Sequence, residues 1–102
     1  MPEETALGEL TKDSFEPLRG ERFVVSAADV GELELELTEV LGSGLRGKAK
    51  REQFALHFDG PAKPILPQSI YRLENERMGV LEIFLVPVAG DEKGTTYEAV
   101  FT

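Results

Sequence analysis

Residues 32–38 alternate between glutamate and leucine and end on a threonine, which is the clearest pattern in the chain. Successive side chains of a strand point to opposite faces, whereas an α-helix would spread these leucines around its circumference. The segment is therefore predicted to be a strand with one buried and one solvated face, which is typical of antiparallel sheets. After Thr38 the apolar positions shift to Val40, which predicts a β-bulge or the end of the strand. The two predicted faces consist of Leu33, Leu35 and Leu37 inside and Glu32, Glu34 and Glu36 outside.

Five further segments are predicted to be strands, at 22–26, 53–59, 68–74, 80–88 and 95–101. Their connections carry the residues that strands avoid, with glycines at 42–52 and three prolines in a crossing loop at 60–67. Four of the segments have an obvious inward face, formed by Phe23 and Val25, by Phe54, Leu56 and Phe58, by Tyr71 and Leu73, and by Tyr97, Ala99 and Phe101.

The segment 80–88 differs because it is apolar on both faces. Val80, Phe84 and Val86 lie on one face, and Leu81, Ile83 and Leu85 lie on the other. Such a strand is either enclosed in the core or covered by another chain, and the sequence leaves both possibilities open. If the second face is exposed, it marks an interaction surface. The candidate interface residues are Ile65, Leu66, Ile70, Val80, Phe84 and Val86.

A single helical turn is predicted before the first strand. Thr11 is placed to cap this turn by accepting a backbone N–H. Pro17 disfavours helix at the preceding residue, so the element is expected to be short and 3₁₀-like. Phe15 and Leu18 are three residues apart, share a face and are expected to plug one end of the core.

These elements together predict an all-β, mostly antiparallel fold. The expected architecture is a six-stranded small sandwich or partly closed barrel with one short N-terminal helical turn. Residues 1–9 show no sustained period and are predicted to form a flexible N-terminal tail, which leaves 10–102 as a single β domain.

Charge narrows the range of partners. The chain has 102 residues and a net charge of −8, from 19 acidic and 11 basic residues. Nucleic-acid affinity comes largely from phosphates neutralised by lysine and arginine, so no nucleic-acid partner is expected. The basic residues Arg46, Lys48, Lys50 and Arg51 are interpreted as part of a solvated loop.

No apolar run approaches the roughly 18–20 residues that span a bilayer, so no membrane association is expected. The cytoplasm is the default location, and the lack of cysteine fits a reducing compartment.

The residues that carry catalysis are scarce. His57 is the only histidine, there is no cysteine, and the parity of its strand places His57 on the solvent side. The glutamates of 32–36 stand about 6.5–7 Å apart along a wet face, which lacks the apolar pocket that raises the pKa of a catalytic carboxyl group. The glycine-rich 41–48 lacks the spacing of a phosphate-binding loop. No enzyme activity, catalytic residue, metal site or cofactor is therefore predicted.

Three stretches carry a resemblance to a known family. They are a leucine-threonine pair at 10–11 followed by FEPL (15–18), LPQSIYRLE (66–74), and GVLEIFLVPV (79–88) with YEAVF (97–101). Over residues 10–102 the chain resembles a bacterial family of roughly hundred-residue all-β proteins described only as a domain of unknown function. The resemblance implies no activity and no site residues. It implies that proteins of this kind occur together with phage-tail-like collar or fibre proteins.

Two functions remain in view. The first is a non-catalytic binding or assembly module, accessory to a phage-tail-like or other β-rich particle, with a protein partner or a second copy of the chain. The alternative is a small-molecule-binding β-barrel protein, although six strands leave little interior space because even eight-stranded barrels are often filled by side chains.

Overall fold

The computed structural model describes residues 12–27, 31–42 and 54–101. The predicted tail 1–9, the capping Thr11 and most of the glycine-rich connection lie outside these residues. A short helix, α1 (Lys12–Phe15), leads into a 3₁₀ turn (Glu16–Leu18). The strands are β1 (Arg22–Ala27), β2 (Gly31–Gly42), β3 (Phe54–Gly60), β4 (Ser69–Asn75), β5 (Gly79–Asp91) and β6 (Gly94–Phe101). Within these three ranges, no helix has the length and apolar character needed to cross a bilayer.

The six strands close into an antiparallel barrel in the order β1-β2-β3-β6-β5-β4, with β4 returning to β1. The all-β, antiparallel prediction is confirmed, and the barrel is the correct one of the two predicted architectures. The ring consists of two three-stranded meanders joined by the crossing loop at 61–68. The β3–β6 seam covers the whole of residues 54–60, whereas the β1–β4 seam covers only residues 24–26 and 72–74.

Two strands contain irregularities of register. In β2 the register shifts between Leu37 and Glu39, so the bulge predicted after Thr38 is present and the strand continues beyond it. In β5 the register shifts between Pro87 and Ala89. Proline has no backbone N–H to donate to the ladder, so within sheets it is tolerated at bulges such as this one.

The interior of the barrel is filled with apolar side chains. The alternation of inward residues is confirmed, and ten of these side chains are 0% exposed: Phe23, Val25, Leu35, Leu37, Leu56, Phe58, Leu73, Leu81, Leu85 and Tyr97. Phe23 and Phe58 meet edge-to-face with ring centroids 5.3 Å apart. This packing leaves the functional surface to be sought on the outside of the barrel.

One end of the barrel is closed by the helical turn, as predicted. Phe15 is 0% exposed and Leu18 is 4% exposed. The ring of Phe15 lies 5.8 Å from that of Phe54 and 5.5 Å from that of Phe101, and the latter two rings stack at 4.6 Å. The turn is tied to β2 because the backbone N–H of Gly20 donates to the carbonyl of Leu37.

The hairpin between β4 and β5 fixes which residues face each other on the outer surface. The Asn75 side-chain oxygen accepts hydrogen bonds from the backbone N–H groups of Arg77 and Met78, at 2.9 and 3.0 Å. Gly79 has a φ of 84°, a conformation that glycine adopts without steric cost. This turn sets the register in which Ile70 lies directly opposite Phe84.

Replacing Gly94 with alanine is expected to destabilise the barrel by about 1–3 kcal/mol, the usual cost of overpacking. A Cβ atom at Gly94 would lie 2.7 Å from the backbone carbonyl oxygen of Gly60. Both residues belong to paired strands, so neither backbone moves away freely. The free energy of unfolding from urea titration measures the effect.

Gly90→Ala is the matched control, because its Cβ would lie 3.4 Å from the nearest atom. Its unfolding free energy is expected to stay within about 0.5 kcal/mol of the parent value. Equal losses in the two variants would contradict the proposed clash.

Candidate functional site

A row of outward apolar side chains crosses five strands of the barrel. On one side, Leu41, Ala55 and Val100 face one another across β2, β3 and β6. On the other side, Ile70 and Phe84 form a directly opposed pair on β4 and β5. We call these five residues the apolar row. Four of them are well exposed, at 43% for Leu41, 63% for Val100, 65% for Ile70 and 50% for Phe84.

The two parts of the apolar row meet at a split in the barrel. The β5–β6 ladder ends at the pair Val86↔Glu98, although β6 continues to Phe101. Extending the antiparallel register by two residues would place Phe84 opposite Val100, but no pairing occurs there. Among the described residues, no strand pairs with 79–85 on the side of β5 away from β4. Val100 on β6 and Phe84 on β5 therefore lie on the two edges of this split.

The structure divides the six predicted interface residues. Ile65, Ile70 and Phe84 are exposed, and Val86 is half-buried on the outer face. Leu66 and Val80 were predicted wrongly, because both are buried, at 2% and 0% exposed. Leu66 belongs to the core of the barrel, whereas Val80 is buried although its strand position, opposite the exposed Glu74, puts it on the outer face.

Two tyrosines position the crossing loop and explain why neighbouring Ile65 and Leu66 differ. The backbone N–H of Leu66 donates to the Tyr97 hydroxyl at 2.9 Å inside the barrel. The Tyr71 hydroxyl donates to the carbonyl of Pro67. These bonds hold the Leu66 side chain in the core and leave Ile65 59% exposed.

Burial raises the pKa of Tyr71 above its ordinary value of 10.0, and the nearby Tyr97 adds a smaller contribution in the same direction. A raised pKa means that the folded state holds the phenol proton more tightly than the unfolded state. This contribution to stability is complete below the unfolded pKa and is lost as the pH rises through the folded pKa. As the pH rises above the ordinary tyrosine pKa of about 10, the wild type is therefore expected to lose more stability than Tyr71→Phe. Chemical denaturation at several pH values measures both proteins, and parallel curves would contradict the assignment.

An open groove of about 850 Å³ lies between the crossing loop and the second half of β5. Ile65 lines it together with Val88, which is 47% exposed. The rest of its lining consists of Ala62, Lys63, Pro87, Ala89, Gly90, Asp91, Glu92 and Thr95. The groove adds exposed apolar area beyond the bulge of β5, outside the apolar row.

His57 lies on the outer face of β3, between two glutamates of the neighbouring strands. Its Nε2 is 3.0 Å from Oε2 of Glu98, and its Nδ1 is 3.7 Å from Oε2 of Glu39. The side chain is 23% exposed. Because the two carboxylates contact opposite nitrogens of the ring, they do not converge on one point as metal ligands would. Among the residues described, no group of three acidic or histidine side chains is placed to hold a metal ion.

Acidic side chains flank the apolar row on the outer surface. Glu39, His57 and Glu98 form the adjacent row, two residues along their strands from Leu41, Ala55 and Val100. The glutamates of residues 32–36 face solvent as predicted, and Glu34 pairs with Arg22 at 3.0 Å. Such exposed pairs stabilise folds by only about 0–1 kcal/mol, so their main effect is on the surface potential.

Sequence reasoning missed three members of the apolar row, namely Leu41, Ala55 and Val100. Val100 alternates with the inward Phe101, so its outward position could have been predicted from the strand at 95–101. Leu41 faces outward only because the bulge reverses the parity of β2, and this reversal also brings Glu39 beside His57.

The fold and this outer surface define a small antiparallel β-barrel domain with a filled interior and a split, partly apolar exterior. The chain belongs to the family Domain of unknown function (DUF6916), whose model matches residues 10–101. No curated protein and no solved structure matches the chain.

Proposed function

We propose that this domain is a non-catalytic binding or assembly module of the cytoplasm, and that it binds a protein partner through the apolar row. The observation that carries the proposal is the exposure of Ile70, Phe84 and Val100, at 65%, 50% and 63%. Large apolar side chains grouped on the surface of a small domain are typical of interaction sites. Their burial in a partner supplies the binding free energy, at about 25 cal/mol per Å² of apolar area before the costs of association.

The proposed partner is a different protein rather than a second copy of this chain. Two copies would each bring a net charge of −8 to the interface. Glu39 and Glu98 lie next to the apolar row, so a partner with basic residues around an apolar centre has the complementary potential. The resemblance over residues 10–102 supports a component of a phage-tail-like or other β-rich particle as this partner.

Small-molecule binding inside the barrel is the less favoured function. The space that a ligand would need is occupied by side chains such as Phe23, Phe58 and Tyr97, which are all 0% exposed. The outer surface is therefore the better candidate.

Co-purification from the native cell tests the proposal. The tagged wild type is compared with Phe84→Ser and Ile70→Ser, and with Val88→Ser as the control. Val88 is an exposed apolar residue of the same strand as Phe84, but it lies outside the apolar row. The same partner is expected with the wild type and the control, and its recovery is expected to fall at least about tenfold in both row variants, equivalent to 1.4 kcal/mol each.

Recovery of only the tagged protein, or equal recovery of the partner with all four proteins, would contradict the proposal. Light scattering of the purified wild type is expected to show a monomer. A dimer that Phe84→Ser dissociates would make a second copy the partner instead.

A further inference from the structure

We infer that the partner contributes an extended strand that pairs with β5 in the split beside β6. This inference rests on the proposed function and adds the form in which the partner binds. The observation behind it is that residues 99–101 continue past the last β5–β6 pair without joining residues 83–85. Both segments are strands, so each already has the extended backbone that a third strand requires.

The side of β5 away from β4, which no strand of the described ranges covers at residues 79–85, offers hydrogen-bonding groups of the backbone. In an antiparallel ladder, each residue directs its N–H and C=O to the same side, and successive residues alternate between the two sides. Over residues 79–85 the groups of every second residue bond to β4. The groups of the alternate residues point toward the split, where no described strand accepts them. Adding a strand to such an edge is a recurring mode of peptide recognition.

The side chains on the two edges of the split indicate which residues the added strand carries. Phe84 and Val100 point outward, so the outward residues of the partner strand contact apolar surface on both sides. Ile83 and Leu85 point inward and are already 3% and 0% exposed. Little room remains on that side, so the inward residues of the added strand are small.

Charge sets the ends and flanks of the added strand. Glu82 is exposed on β5 next to Phe84, and Glu98 lies at the point where the split begins. Together with the net charge of −8, these residues favour lysine or arginine beside the apolar positions of the partner. The fitting partner is an extended, basic segment with apolar residues at alternate positions.

A synthetic peptide tests this mode of binding. The probe alternates valine and alanine, carries lysines at both ends and is capped at both termini. Titration into the ¹⁵N-labelled full chain is expected to slow amide hydrogen exchange in residues 83–85 and 99–101. N-methylation of the peptide at alternate residues removes backbone donors and keeps the side chains. Methylation of the set that faces β5 is expected to weaken binding about tenfold or more, because each lost hydrogen bond is worth up to about 1.5 kcal/mol.

The controls separate this inference from the proposed function. A peptide of the same composition with its valines in one block is expected to bind at least about tenfold more weakly, since alternation is lost. Equal affinity of both N-methylated forms and the parent peptide, protection of other amides, or no binding of the parent peptide would overturn strand addition. If the peptide gives one of those results but Phe84→Ser still abolishes recovery of the cellular partner, only strand addition is wrong and the proposed function stands. If Phe84→Ser does not reduce recovery of the partner, the proposed function itself is wrong.

Discussion

Phe15→Ala is expected to destabilise the barrel by about 3–5 kcal/mol, the usual cost of removing a buried phenylalanine. Phe15 is 0% exposed and contacts the rings of Phe54 and Phe101 at centroid distances of 5.8 and 5.5 Å. Its removal leaves a cavity at the end of the barrel and also removes the aromatic contacts. Since domains of this size have stabilities of roughly 5–15 kcal/mol, the loss is a large fraction of the total.

Phe84→Ala makes the same chemical change at a surface position and serves as the control. Phe84 is 50% exposed, so its replacement is expected to change the unfolding free energy by no more than about 1 kcal/mol. Urea unfolding followed by circular dichroism measures both variants. A loss at Phe15 no larger than that at Phe84 would mean that the helical turn does not plug the core.

Leu66→Ala is expected to cost about 2–5 kcal/mol, because Leu66 is 2% exposed within the barrel. The adjacent Ile65 is 59% exposed, and Ile65→Ala is expected to stay within about 0.5 kcal/mol of the wild type. The pair therefore compares neighbouring residues of one loop that have similar side chains and opposite surroundings.

The free energies of unfolding of the two variants decide whether the crossing loop is part of the core. If Leu66→Ala unfolds at the same urea concentration as the wild type, the loop does not insert Leu66 between the strands. In that case the hydrogen bond from the Leu66 N–H to Tyr97 would also have to be reconsidered.

The fold was predictable because its information is local. The alternation of glutamate and leucine at 32–38 reports directly on which face is buried, and it identified β2 together with its bulge. The closure of the ring was not predictable to the same extent. It depends on pairing between β3 and β6 and between β1 and β4, which are distant in the sequence and leave no local pattern.

The candidate site was only partly predictable for the same reason. Parity in 80–88 pointed to Phe84, and the apolar excess near 65–70 pointed to Ile65 and Ile70. Alternation does not distinguish a buried apolar residue beside a turn from an exposed one, which explains why Val80 was assigned to the interface. The split itself is a property of two strands that diverge, and no residue type marks it.

The unequal seams of the barrel give the molecule a preferred place to come apart. The β1–β4 seam involves only residues 24–26 and 72–74, while the β3–β6 seam is long. When a closed ring of strands breaks, it opens where the fewest hydrogen bonds must be lost. Rupture between β1 and β4 would turn the cylinder into a curved six-stranded ribbon that still joins both meanders through β3 and β6. The partial opening with the lowest free-energy cost is therefore separation of β1 from β4, which opens the barrel into one sheet, rather than separation of the two meanders.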